Sequence, residues 1–180
     1  LYNNTIGYQN TAMGQNALYC NTSGNYNSAI GVNALYNNSG FQNSAMGANA
    51  LYCNTTGNYN SAIGMNALYC NTVGSYNTAI GSYSLLYNTT GSCNTANGYK
   101  ALYSNTTGYS NTAVGFVALY NNTANNNTAN GYKSLYNNTS GTGIIAFGSS
   151  ALYCNTTGIN NSAVGMNALY NNTIGYQNTA

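Results

Sequence analysis

The chain has 180 residues and a net charge of +2, carried by Lys100 and Lys133, and it contains no Asp, no Glu and no His. General acid–base catalysis needs an imidazole or a carboxylate beside the reacting proton, and hydrolytic triads, paired-carboxylate sites and carboxylate-bound calcium need the same groups. The sequence therefore predicts no enzyme, no cofactor and no metal site. Two positive charges cannot neutralise a run of phosphates, so no nucleic acid is expected as a partner. No stretch approaches the roughly 18 apolar residues of a spanning helix, so no membrane insertion is expected.

From the first residue onward the chain repeats. Leu-Tyr falls at 1–2, 18–19, 35–36, 51–52, 68–69, 102–103, 119–120, 135–136, 152–153 and 169–170, with one variant copy at Ser84-Leu85-Leu86. The unit reads A-L-Y-x-N-T-x-G-x-x-N-T/S-A-x-G-x-x over 17 residues, and the units beginning at Ala34 and Ala118 have 16. Asn/Ser/Thr-rich chains of low charge are often disordered, but disorder does not require a register. A fixed period is the signature of stacked repeats.

Each unit opens on A-L-Y. Position 2 is Leu throughout: Leu1, Leu18, Leu35, Leu51, Leu68, Leu85, Leu102, Leu119, Leu135, Leu152 and Leu169. Position 5 is always Asn: Asn4, Asn21, Asn38, Asn54, Asn71, Asn88, Asn105, Asn122, Asn138, Asn155 and Asn172. A second Asn column at position 11 breaks once, at Ile144. The T-A-I-G segment follows, with Ala at 13, a mostly apolar residue at 14 and unbroken Gly at 15. Segments of three to five residues bounded by Asn, Gly and Thr read as short strands between tight turns. A unit too short and too Gly-rich for paired helices predicts an all-β parallel β-solenoid, or β-roll, of about ten stacked 17-residue coils. At about 4.8 Å per coil the rod is on the order of 48 Å long.

Stacking places like residues above one another. The Leu become a core column, expected to face position 14 across a thin two-layer core. The two Asn columns become amide ladders, because a carboxamide both donates and accepts and can bond the same group above and below. Residues 1–12 recur unchanged at 169–180. Residues 1–180 are thus expected to be one repeat array, a ten-coil super-repeat over 1–168 whose next copy starts at 169, within a longer array.

The strings TTGNYNSAIGMNA at 55–67 and TTGINNSAVGMNA at 156–168 resemble the head repeats of YadA-type trimeric autotransporter adhesins, and similar repeats in tail-fibre-like proteins. The resemblance implies a left-handed parallel β-roll, display outside the cell or on its surface, and often a trimer. It offers no catalytic residue.

Several residues stay open to two readings. Cys20, Cys53, Cys70 and Cys154 share position 4 and Cys93 stands at 10, a spacing that matches no zinc pattern. Cys53 and Cys70 are either small column-filling thiols or a bridge between adjacent coils. The Tyr column at position 3 is expected to stack on itself, with sugar stacking as the alternative. NTANGYK occurs twice, around Lys100 and Lys133, as a variant unit or a paired binding feature. Thirteen N-x-S/T sequons, among them Asn21, Asn54, Asn105 and Asn155, are candidate glycosylation sites. The expected role is a structural extracellular fibre that self-associates end to end, as a lateral bundle or as a trimer. An adhesin for glycans or matrix is the alternative, and an ice-binding solenoid, built on Thr/Ser rows at positions 6 and 12, ranks below both.

Overall fold

A computed structural model describes residues 1–180. It is all-β, with ten three-residue strands: β1 (Thr11–Met13), β2 (Ser28–Ile30), β3 (Ser44–Met46), β4 (Ser61–Ile63), β5 (Thr78–Ile80), β6 (Thr95–Asn97), β7 (Thr112–Val114), β8 (Thr128–Asn130), β9 (Ile145–Phe147) and β10 (Ser162–Val164). They form one parallel sheet in chain order, β1 to β10. The register follows the repeat: Ala12 pairs with Ala29, Ala29 with Ala45, and Ala45 with Ala62. This is a β-solenoid in which each 16- or 17-residue unit makes one coil.

Each coil has one strand, and that strand is the T-A-I segment. The A-L-Y segment, expected as a second strand, forms a turn instead. Leu18, Leu35, Leu51, Leu68, Leu85, Leu102, Leu119, Leu135, Leu152 and Leu169 all have φ between 50° and 53°, the left-handed region. Such a residue costs roughly 1–2 kcal/mol when it carries a Cβ. Two gains offset the cost. Burying a Leu side chain is worth about 1.5–3 kcal/mol, and Leu18 to Leu152 are fully buried. The Leu amide also stays in the coil-to-coil ladder: Leu18 N–H donates to Ala34 O at 3.0 Å and Leu51 N–H to Ala67 O at 3.0 Å. Of 114 backbone hydrogen bonds only 18 lie within strands, so the turns carry much of the stacking.

The core is Leu at position 2 against Ala at positions 1 and 13, in a single column of 26 buried residues that includes Ile144. The expectation that Leu faces position 14 is overturned. Alternation along a strand sends neighbouring side chains to opposite faces, and here Ala takes the inner face. Ala29, Ala62, Ala79 and Ala96 are fully buried, whereas Met13, Met46, Ile63, Ile80 and Phe147 at position 14 are exposed. Near the N terminus Leu1 is also exposed, and at the other end Leu169 is half-buried.

Gly at position 15 answers to backbone shape and to space together. Gly64 has φ +131, and a Cβ there would lie 2.7 Å from the carbonyl carbon of Gly81. No helix is long and apolar enough to cross a membrane.

Candidate functional site

The arrangement with the most ordered chemistry is internal. At position 5, Asn21 Nδ2 donates to Asn4 Oδ1 at 2.8 Å, Asn38 to Asn21 at 3.0 Å, Asn54 to Asn38 at 2.7 Å, Asn71 to Asn54 at 2.7 Å and Asn88 to Asn71 at 2.8 Å. The column continues from Asn105 to Asn88 at 3.0 Å, then from Asn138 to Asn122, Asn155 to Asn138 and Asn172 to Asn155 at 2.7, 2.9 and 3.0 Å. Asn21 through Asn155 are fully buried, and the end members Asn4 and Asn172 are half-buried. The expected ladder is present, with one rung missing: Asn105 Oδ1 is the only buried side-chain polar atom without a partner.

Position 11 works differently from the expected amide-to-amide ladder. Its Oδ1 accepts a backbone N–H from the next coil, as when Asn60 N–H donates to Asn43 Oδ1 at 2.9 Å and Asn77 N–H to Asn60 Oδ1 at 3.0 Å. Its Nδ2 donates to a Gly carbonyl of that same next coil, Asn43 to Gly57 O and Asn60 to Gly74 O, both at 2.8 Å. The reason is geometric. The N–H that follows the position-10 turn already faces the preceding coil's amide, so the carboxamide mainly caps backbone. The expected amide-to-amide bond forms in this column only from Asn111 to Asn94 at 3.2 Å and from Asn178 to Asn161 at 3.1 Å. Ile144 keeps the backbone half of this rung, donating its N–H to Asn127 Oδ1 at 3.0 Å, and buries its side chain.

Gly at position 8 joins the two columns, a role the sequence reading did not assign. Gly74 O accepts from Asn71 of its own coil at 2.9 Å and from Asn60 of the coil before at 2.8 Å. A Cβ on Gly57 would run into Gly74 O and lie 2.7 Å from Asn71 Nδ2. Near-invariance was the available signal: position 8 is Gly in every unit but one, where Ala124 stands. A third short row, at position 17, was also missed. Asn16 donates to Asn33 at 3.1 Å, and Asn33 to Asn49 and Asn49 to Asn66 at 3.0 Å; it stops because Tyr83 is the next residue in the row.

The outer face carries the tyrosines. Position-3 rings stack from Tyr2 through Tyr19, Tyr36 and Tyr52 to Tyr69, with centroids 5.0–5.2 Å apart. A second stack runs from Tyr103 through Tyr120, Tyr136 and Tyr153 to Tyr170 at 4.9–5.4 Å. Between them stands Leu86. Tyr87 is displaced one residue along and meets Tyr103 edge-on at 5.1 Å. The Tyr87 hydroxyl, followed by burial, pushes the Tyr103 phenol up to about 12.

Lys100 Nζ lies over Tyr103 and Tyr99, 5.1 and 5.3 Å from the ring centroids, and Lys133 Nζ lies 5.2 Å from that of Tyr132. The two Lys stand two coils apart and share no common cleft. The five cysteines are free thiols, and burial pushes the Cys53 and Cys70 thiols above their ordinary value. No three residues of metal-ligating type come together.

The four candidate glycosylation residues are corrected by their burial. Asn21, Asn54, Asn105 and Asn155 are fully buried, and each Nδ2 donates both to the preceding Asn and to a Gly carbonyl of its own coil. A glycan would replace one of those N–H groups and has no room in the stack. The position-6 hydroxyls are likewise occupied: Thr55, Thr72 and Thr89 Oγ1 donate to the Thr carbonyl of the next coil at 2.9–3.0 Å. Compared with protein-family models, with characterised proteins and with solved structures, the chain matches none of them.

Proposed function

We propose that the protein is a structural, non-catalytic shaft of an extracellular or cell-surface fibre. The observation that carries this reading is the sameness of the coil-to-coil contact. From Asn21 to Asn105 every coil presents the next with the same amide rung at 2.7–3.0 Å and the same column of fully buried Leu. A face that fits the next coil of its own chain also fits the matching coil of another. Residues 169–180 have the sequence of 1–12, so the same coil face recurs along the chain. A net charge of +2 over 180 residues leaves little repulsion between such faces. Self-association is end to end on this reading, with lateral bundling or a trimer as further modes.

Residues 1–180 expressed alone, followed by light scattering and electron microscopy at tens of micromolar, should give filaments or end-to-end oligomers. A stable, folded, monodisperse monomer would contradict end-to-end docking. A surface adhesin for glycans or matrix is the second reading, favoured by the tyrosine rings exposed on the surface, among them Tyr76, Tyr87 and Tyr99.

A further inference from the structure

The solenoid repeats its surface almost everywhere, so the place where a column fails is chemically distinct from the rest. Tyr69 ends the first tyrosine stack. The next ring position holds Leu86, nearly buried, whose side chain stops short of the space a phenol fills in the neighbouring coils. One face of Tyr69 is thereby left without a ring against it. A groove of about 330 Å³ opens there, lined by Asn49, Asn66, Tyr69, Tyr83, Leu86 and Tyr87. This volume is at the lower end of small-ligand clefts, with room for one ring rather than an extended chain.

The edges of the groove are polar and neutral. Asn66 is the last member of the position-17 amide row. Its Oδ1 accepts from Asn49 at 3.0 Å, and with Tyr83 following it, its Nδ2 has no protein acceptor. A donor at the end of such a row is strengthened by the bonds behind it. The half-buried Tyr83 and the exposed Tyr87 bring phenol hydroxyls to the same region. No carboxylate exists in the chain. The only nearby charge, Lys100, is held over Tyr83, Tyr99 and Tyr103 at 5.1–5.9 Å.

We propose that this groove is a binding site for a single neutral pyranose ring of a glycan, packed on the open face of Tyr69 above Leu86 and hydrogen-bonded by Asn66 Nδ2. A flat aromatic wall, an aliphatic floor and amide and hydroxyl groups at the rim match a ring with apolar faces and hydroxyls around its edge. A small aromatic such as p-cresol would use the wall but bring a single hydroxyl to the rim, where a pyranose brings several. The site is independent of the fibre reading, since a monomeric rod would carry it equally.

The test uses cellohexaose and chitohexaose as probes and p-cresol as the contrast, with saturation-transfer NMR on the full chain. The wild type should bind at least one of the two oligosaccharides with millimolar affinity. Leu86→Tyr supplies the ring found at this position in ten other coils and should fill the groove, weakening binding about tenfold or more, which is about 1.4 kcal/mol. Asn66→Ala, a half-buried change outside the core, should weaken it severalfold in a chain that still folds, with a slightly lower melting temperature because the bond from Asn49 is lost and Ala sits at φ 56°. It decides the matter if Leu86→Tyr folds poorly. No oligosaccharide signal in the wild type, equal binding by a folded Leu86→Tyr, unchanged binding by Asn66→Ala, or binding of p-cresol alone would each overturn the proposal.

Discussion

The two 16-residue coils, 34–49 and 118–133, both lack unit position 7, yet only one of them keeps the amide ladder whole. In the first, Asn38 donates to Asn21 at 3.0 Å and to Gly40 O at 2.9 Å. In the second, Asn122 donates to Ala124 O at 2.9 Å and the rung to Asn105 is absent. Shortening itself is tolerated. It draws the two Asn of a coil together, giving Asn43 to Asn38 at 3.3 Å and Asn127 to Asn122 at 3.1 Å. What differs is Ala124 in the place of Gly40. In full-length coils such as that of Gly57, a methyl at this position would press on the amides of its own and the next coil, Asn54 Oδ1 and Asn71 Nδ2 at 2.5 and 2.7 Å, whereas at Gly40 it would meet Gly57 O and lie 3.0 Å from Asn43 Nδ2. Asn122 keeps its bond from Asn138 at 2.7 Å and yields on the other side. Loop length is therefore a soft variable in this fold, and the missing Cβ at position 8 is a hard one.

The largest effect should come from what both coils share. Leu68→Asn loses the packing of a fully buried Leu and puts an amide among methyl groups, costing about 3–5 kcal/mol. Leu35→Asn and Leu119→Asn should cost the same within error in chemical denaturation. Unequal costs would mean that the two short coils differ in the core as well as in the ladder.

The ladder gives a sharper contrast. Asn71→Ala removes the rungs to Asn54 and Asn88 together and should cost about 1–3 kcal/mol. Asn105→Ala removes only the rung to Asn88, since its own oxygen is already unpaired, and should cost about 1 kcal/mol less. Equal losses would deny that the rung between Asn105 and Asn122 is missing.

The next step is to transplant the defect. Gly40→Ala brings a Cβ against Gly57 O and 3.0 Å from Asn43 Nδ2; overpacking of this kind costs about 1–3 kcal/mol. The side-chain amide signals of Asn21 and Asn38 should shift with it. The reverse change, Ala124→Gly, is the smallest in energy. A regained rung adds about 1 kcal/mol and a freer glycine backbone removes about 0.5–1 kcal/mol, so the melting temperature should hardly move. The Asn122 side-chain amide resonance should move to the hydrogen-bonded position of its neighbours, and an unmoved resonance would break the account.

Repetition made much of this legible without any structure. The parallel stack, the Leu column and the position-5 ladder follow from residues that recur at one spacing, because stacking is the arrangement that makes recurrence matter. The inner face of the strand was harder to read. Position 14 is the more apolar of the two, and only the strand's alternation in three dimensions hands the interior to Ala at 13. The turn at Leu was hidden for a related reason: Leu rarely adopts positive φ, so its invariance reads as core packing and carries no trace of the backbone it sits on. The position-8 Gly had a visible signal in its near-invariance. The consequence of its one exception, a lost bond between adjacent coils, lies between residues 17 apart and leaves no mark on either Asn105 or Asn122.

The position-5 ladder also has a direction. Each Nδ2 points toward the coil before it and each Oδ1 toward the coil after, so the carboxamide dipoles add head to tail in the way peptide dipoles add along a helix. Position-11 amides such as Asn60 contribute little to this sum, because both the oxygen and the nitrogen bond the following coil and the dipole lies across the axis. The rod is thus electrically polar along its length although it carries almost no net charge. The missing rung divides the column into a run of seven amides, Asn4 to Asn105, and a run of four, Asn122 to Asn172. Polarisation grows along a hydrogen-bonded chain, so a negative pole falls on Asn105 Oδ1, buried in the stack where the column is interrupted.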